Sequence, residues 1–371
     1  MRIVLLANHL NVGGISSYVI TLGRGLVSRG HQVFVATSGG SLVSKLQKSG
    51  IRCVSLNVRM KSEINPFLFG NIPRLLALLK AENIDLMHAQ TRVTAMLAAS
   101  SSIFCGVPYM TTCHGYFKPH WGRRLVPLWG RRVIAISRPV VDHLTRDMEV
   151  RPEKIVLVPN GIDLNAFRPL SDAERQALRD RWGLGREPVV GIVARLSDVK
   201  GHAFLIDAVA QVRKVFPDVK CLIFGDGPLE TELKQRVQTL GLKDAVLFYP
   251  VINRTSEVLG LLDVFVMPSL SEGLGLSAME AMASGLPTVA SGVGGLLDLI
   301  QDGVTGRLVP PKDPTALALV IQDVLADRVR ARDMGEKARF FIATNYSQEK
   351  MLDGTLGVYR TVLGQNASDV S

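Results

Sequence analysis

The sequence predicts two doubly wound α/β domains in tandem, each built on a parallel sheet. Short apolar runs alternate with helix-length stretches along nearly the whole chain, the pattern of βαβ units. The alternation starts afresh after a polar, charged stretch, Ser171–Glu187. The length of 371 residues also exceeds what a single core usually holds.

In the first series the strand candidates are Arg2–Ala7, Gln32–Ala36, Cys53–Leu56, Leu86–Ala89, Tyr109–Thr112, Arg132–Ala135 and Ile155–Val158. Helical stretches such as Ser16–Ser28 and Pro73–Ala81 lie between them. The second series has Val189–Val193, Lys220–Phe224, Val246–Tyr249, Val264–Met267, Thr288–Ala290 and Gly306–Val309. The expected domains are 1–163 and 164–345, joined near Pro159–Pro169. Residues 346–371 should form a terminal helix that packs back on the first domain, followed by a polar tail. Parallel sheets of this kind bind ligands beyond the carboxyl ends of their strands.

Hydrophobic residues make up 47% of the chain and charged residues 20%, which argues against disorder. The four cysteines, Cys53, Cys105, Cys113 and Cys221, form no C-x-x-C pair. Neither a structural zinc nor a disulfide framework is expected, and the default compartment is reducing. The apolar run Ile3–Ala7 is too short for a secretion signal and suits a buried first strand. Val93–Phe117 lacks charge, but serines, Gly106 and Pro108 interrupt it, so a helix followed by a strand fits better than a membrane span.

The net charge of +10 is uneven. Residues 1–160 hold 20 Lys and Arg against 7 Asp and Glu, whereas the remainder holds 23 against 26. A basic surface therefore belongs to the first half, and anionic membrane or acidic substrates are candidate partners. With only 6% aromatics and no RNA-binding or zinc-finger signature, nucleic acid is the weakest candidate.

Three constellations carry chemistry. Asn11-Val-Gly13-Gly14 follows strand one and opens a helix, where paired glycines let backbone N–H groups approach an anion or a sugar. It is not a G-x-G-x-x-G fingerprint, and it also reads as a plain βα turn capped by Ser16. Arg195 and Lys200-Gly201 share the loop after Val189–Val193, where two cations can clamp a diphosphate. Two solvated surface charges would look the same. Glu272-Gly273-Leu274-Gly275-Leu276 then places a carboxylate in a glycine-flexed loop. Glu280 follows two turns into the next helix, if that helix starts near Gly275. Backbone N–H groups at that helix start can meet phosphate.

Together, Arg195…Lys200-Gly201 and Glu272-x7-Glu280 resemble the donor-site signature of the GT-B glycosyltransferases, in particular the retaining family 4, also called group 1. The resemblance covers nearly the whole chain. Asn11–Gly14, Thr112-Cys113-His114-Gly115, Pro159-Asn160-Gly161-Ile162-Asp163, Gly225-Asp226-Gly227-Pro228 and Gly294-Gly295…Asp302-Gly303…Gly306 match further family motifs in order. It implies two Rossmann-like domains facing a central cleft, acceptor-binding first and donor-binding second. It also implies transfer of a sugar, with retention, from a nucleotide-diphospho-sugar, UDP-linked by preference and GDP-linked as the alternative. Arg195 and Lys200 would bind the diphosphate and Glu280 the ribose. Glu272 and His114 would act at the sugar, Gly13 and Gly14 would lie by the diphosphate, and Gly273–Leu276 would offer backbone contacts.

Leu274, Asp298, Cys113 and Pro250-Val251 depart from the family pattern. The first three look conservative, whereas the last leaves the nucleobase open. There is no D-x-D triplet, so the expectation is metal-independent catalysis without a cofactor, with Arg195, Lys200 and helix N-termini balancing the diphosphate.

After the His114 loop, Trp121, Arg123, Arg124, Trp129, Arg131 and Arg132 form a basic, aromatic stretch. Arg59 and Lys61, ahead of Phe67 and Phe69, add a second. Tryptophan suits a headgroup boundary and arginine an anionic lipid, which gives a cytoplasmic protein peripheral on the inner leaflet with a glycan or lipid-linked acceptor. A core helix with solvated arginines and packing tryptophans reads equally well. The expected pathway is cell-surface polysaccharide or lipopolysaccharide synthesis. The rival readings are a nucleotide-sugar hydrolase or epimerase of the same fold, and a non-catalytic sugar-nucleotide or membrane-binding subunit. His9, His31, His88, His120, His143 and His202 read as structural or solvated.

Overall fold

The structure, a computed structural model, describes residues 1–60, 62–63, 65–118, 122–123, 126–250 and 255–365. The chain divides into two compact units, Met1–Gly161 with Gln348–Ser371, and Ile162–Ser347.

The first unit is a seven-stranded sheet. Its strands are β1 (Arg2–Leu6), β2 (Gln32–Thr37), β3 (Arg52–Ser55), β4 (Leu86–Ala89), β5 (Tyr109–Cys113), β6 (Val133–Ala135) and β7 (Ile155–Leu157). They run in the order β3-β2-β1-β4-β5-β6-β7, each pairing parallel to its neighbours. The β1 sequence shows why the strands read as unbroken apolar runs. Ile3 and Leu5 face one core, with Tyr18 and Leu22 of the helix Gly14–Ser28 and Leu352 and Leu356 of the helix Gln348–Leu363. Val4 and Leu6 face the other, with Leu75 of the helix Ile72–Ala81 and Leu97 of the helix Arg92–Cys105. Alternate residues point to opposite faces, and both faces are covered. Each leucine so buried contributes about 1.5–3 kcal/mol.

The second unit carries six strands: β8 (Val189–Val193), β9 (Lys220–Phe224), β10 (Val246–Tyr249), β11 (Val264–Met267), β12 (Thr288–Ser291) and β13 (Arg307–Val309). Their order, β10-β9-β8-β11-β12-β13, repeats the same parallel winding. On one face Val190 and Ile192 pack with Leu205 and Val209 of the helix His202–Val212 and Ile321 of the helix Pro314–Ala326.

In both sheets the strand order reverses beside the first strand of the unit, at β1/β4 and at β8/β11. The loops beyond the carboxyl ends diverge at such a point and leave room for a ligand. Asn11–Gly14 follows β1, Arg195 and Lys200 follow β8, and Glu272 follows β11, so these motifs fall there, whereas His114 follows β5, one strand farther out. One local expectation fails: Ser16 does not cap the first helix, which begins at Gly14 with Gly13 as its N-cap. The Ser16 hydroxyl instead turns back to donate to the His9 carbonyl at 3.4 Å. Val93–Phe117 forms helix and then β5, and no helix among the described residues is long and apolar enough to cross a membrane.

Candidate functional site

At the carboxyl edge of the second sheet, the loops after β8, β9, β11 and β12 are joined by backbone bonds. Leu270 N–H donates to Val199 O at 2.8 Å, and Leu196 N–H to Asp226 O at 3.0 Å. Gly295 N–H donates to Glu272 O at 3.0 Å. Two glycines permit this closeness. At Gly201, with φ +70°, a Cβ would lie 1.9 Å from Pro268 O, and at Gly295 one would lie 2.3 Å from Gly273 O.

The staple at Leu270 sets Lys200 opposite Glu272. Lys200 Nζ donates to Glu272 Oε1 at 2.5 Å, and Ser269 Oγ donates to the same oxygen at 2.8 Å. The Glu272 side chain is 7% exposed and that of Lys200 23%. A carboxylate so far from water is tolerable only when paired. Arg195 is exposed in the same loop as Lys200.

The helix Leu276–Ala283 starts directly after Glu272-Gly-Leu-Gly, with Gly275 as an N-cap that offers no side chain. Its first-turn N–H groups form the positive end of a dipole with no cap in front of them. Glu280 is the fifth residue of this helix, little more than one turn in rather than the two expected, since five residues at 3.6 per turn do not reach two turns. Burial pushes its carboxyl up to about 8, although the residue keeps some exposure. The structure thus joins Lys200 to Glu272 directly and puts Arg195, Gly273, Leu274, Gly275, Leu276 and Glu280 in the adjoining loops and helix. Ser269 was not foreseen, since a serine three residues before a glutamate carries no signal of its own.

The first unit builds its edge differently. The loop after β1 is sewn to the loop after β2 by Leu10 N–H donating to Gly39 O at 2.8 Å and Ser41 N–H to Asn11 Oδ1 at 3.2 Å. Across the β1/β4 reversal, Thr91 Oγ1 donates to Asn8 Oδ1 at 2.5 Å. Gly13 and Gly14 open the helix that carries Tyr18. The Tyr18 ring meets His114 edge-on, with centroids 4.8 Å apart. His114 Nε2 lies 2.9 Å from Gln90 Oε1.

Beneath these rings lies a polar network sealed from water. His88, 0% exposed, places Nδ1 2.8 Å from Tyr359 OH and Nε2 2.8 Å from Thr112 Oγ1. Tyr18 OH is 3.3 Å from the same Thr112 oxygen. Burial pushes His114 down to about 3, and burial with the neighbouring His114 does the same to His88. Burial pushes the Tyr18 phenol up to about 12 and that of Tyr359 well above its usual value. Every member is neutral at physiological pH. Tyr18, Gln90 and Tyr359 were missed by sequence reasoning, because Tyr359 is 271 residues from His88 along the chain.

Of the basic, aromatic stretch, Trp129 is turned inward and the described arginines are engaged by neighbouring groups. Trp129 is 3% exposed, with the Arg92 guanidinium 5.4 Å over its ring, so it is a packing residue and not a membrane anchor. Arg123 Nε lies 3.2 Å from Glu63 Oε1, and its Nη1 donates to Lys118 O at 3.0 Å. Arg131 Nη1 donates to Val362 O at 2.8 Å, closing the end of the helix Gln348–Leu363. Arg132 Nη1 donates to Arg131 O at 3.2 Å. Trp121, Arg124, Lys61, His120 and Val251 lie outside the described residues.

Family comparison divides at the same place as the fold. The family "Glycosyltransferase Family 4" matches residues 12–166, and "Glycosyl transferases group 1" matches residues 174–340. The chain belongs to the group 1 glycosyltransferases. A D-inositol 3-phosphate glycosyltransferase of Acidothermus cellulolyticus is 29% identical over 98% of this chain and 91% of its own. A glycosyltransferase of Methanocaldococcus jannaschii is 27% identical over 95% of each chain. Among solved structures, Anabaena HepE in complex with UDP-glucose superposes with a TM-score of 0.87 at 23% identity, covering 97% of this chain and 100% of its own. The fold of this glycosyltransferase is GT-B, and the chain is a transferase enzyme.

Proposed function

We propose that this glycosyltransferase moves a sugar, with retention of configuration, from a nucleotide-diphospho-sugar to a glycan or lipid-linked acceptor in cell-surface glycan synthesis. The observation that carries the reading is the Lys200–Glu272–Ser269 contact beside the open start of the helix Leu276–Ala283, at the strand-order reversal. It gathers the charges that a diphosphate leaving group and a sugar hydroxyl require. Lys200 and Arg195 take the diphosphate, Glu280 the ribose hydroxyls, and Glu272 and His114 the sugar. The UDP series is favoured, since HepE, of like fold, was solved with UDP-glucose. The two cations and the helix N-terminus balance the diphosphate without requiring a metal.

A thermal-shift series with UDP, GDP and ADP and their sugars, with and without magnesium, tests this. One diphosphate series should raise the midpoint equally in both conditions, by about 2.7 kcal/mol of stabilisation at a hundredfold excess over Kd. Failure of every nucleotide to bind the folded protein would sink the reading.

The membrane side of the proposal rests on exposed Arg59, Phe67 and Phe69, the first unit's surplus of basic residues, and no longer on Trp129. Sedimentation with vesicles should rise with anionic lipid, and indifference to lipid charge would remove that part.

A further inference from the structure

Gln90 is 2% exposed, one residue past the end of β4, at the strand-order reversal of the first sheet. Two contacts orient its side-chain amide. Nε2 donates to His88 O at 3.3 Å, and Oε1 lies 2.9 Å from His114 Nε2. A carbonyl oxygen can only accept, so the His88 contact requires the NH₂ end, and the amide oxygen is left facing His114. An amide oxygen also only accepts. The hydrogen in the second contact therefore belongs to His114, with its proton on Nε2. A neutral imidazole protonated there carries a bare lone pair at Nδ1. The ring is partly exposed, and among the described residues no hydrogen bond engages Nδ1. Tyr18 holds the ring from its edge, and the network behind it, His88, Thr112, Tyr18 and Tyr359, offers no charge that would favour an imidazolium.

We propose that Gln90 is a positioning residue that fixes His114 as the Nε2–H tautomer, so that Nδ1 accepts a hydrogen bond from a hydroxyl group of the transferred sugar. The inference rests on the functional reading above, which puts His114 at the sugar. It adds a specificity rule. The site selects donors that carry a free hydroxyl facing Nδ1, and a deoxy or fluoro sugar at that position forfeits the bond, because neither group can donate.

The tautomer is measurable without any variant. Nitrogen-15 spectra of histidine-labelled wild-type protein should show His114 protonated on Nε2 and bare on Nδ1 throughout about pH 5.5 to 8. A proton on Nδ1 overturns the proposal. Gln90→Met removes the acceptor while keeping the shape, and should lose the tautomer preference and lower kcat/KM about fivefold to tenfold at every pH. Gln90→Glu keeps an acceptor but places an acid beside the ring, which raises the imidazole pKa. Its kcat/KM should fall on an acid limb that the wild type lacks, since an imidazolium Nδ1–H cannot accept. If the wild-type tautomer is Nε2–H, the nucleotide-sugar still turns over and Gln90→Glu shows no acid limb, the sugar contact is wrong and the donor reading stands. If no nucleotide-sugar binds or turns over in the wild type, the functional reading has failed, whatever the tautomer.

Discussion

The two sheets are wound alike, yet their ligand edges use opposite chemistry. The second unit sets a charged pair, Lys200 and Glu272, beside a helix start. The first unit sets neutral groups, His88, Thr112, Tyr18 and Tyr359, beneath a neutral His114. Bulk charge runs the other way, since the basic surplus lies in residues 1–160. Net charge therefore does not locate functional charge. Arg123 and Arg131 are spent on Glu63 and on a helix end, while the cations beside the candidate donor groups sit in the half with more acids than bases.

The contrast breaks most visibly at Lys200. Lys200→Met leaves Glu272 buried without its cation and should destabilise the second unit by about 3–5 kcal/mol. It should also weaken nucleoside-diphosphate binding about a hundredfold. Adding Glu272→Gln should recover most of the stability and none of the affinity. Denaturant unfolding and calorimetric titration separate the two effects, and wild-type affinity in Lys200→Met would show that the pair is structural only.

A smaller, salt-blind effect is expected in the first unit. Tyr359→Phe removes the hydroxyl that meets His88 Nδ1 and should cost about 1–3 kcal/mol. Because the network is neutral, the loss should be the same at low and high salt and from about pH 6 to 9. A loss that fades with salt would mean that the network carries charge.

The smallest effect on donor affinity, and one on stability that depends on pH, concern Glu280. Its carboxyl stands at about 8 in the folded protein, above the ordinary 4.5, so the folded state holds the proton more tightly than the unfolded one. That stabilisation is full below about 4.5 and is lost as pH rises through 8. Glu280→Gln stays neutral at every pH, so it should match the wild type below about pH 4.5 and exceed it by a margin that widens up to about pH 8 and is constant above. Donor affinity should fall about fivefold to tenfold if the carboxylate holds the ribose hydroxyls. A stability gap that is constant with pH would refute the shifted carboxyl.

These differences also explain what could be read from sequence. The strands were legible because a sheet covered on both faces needs apolar residues at every position, as Ile3–Leu6 show. The charged edge was legible because its residues stand within two short loops, after β8 and β11, where the family motif is local. The neutral edge was not. Gln90 and Tyr18 are ordinary residues until folding sets them against His114, and Tyr359 arrives from the far end of the chain. Trp129 misled for a related reason. Tryptophan next to arginine reads the same on a membrane face as in a core, and what covers it is Arg92, held in turn by Glu63.

The helix Gln348–Leu363 belongs to the first unit, although the ribosome delivers it only after the whole of the second. The second unit is one uninterrupted stretch of chain and can assemble as soon as it emerges. Until then the first unit waits with half a core open, because Leu352, Leu356 and Tyr359 are still missing from beside Ile3 and Leu5. Closing so long a loop slows that final docking more than it weakens the result. A nascent chain interrupted after Ser347 would hold a finished Lys200–Glu272 edge, while His88 would lack its phenol partner. Half of the chemistry is in place early, and the rest is withheld until the last turns of helix have been made.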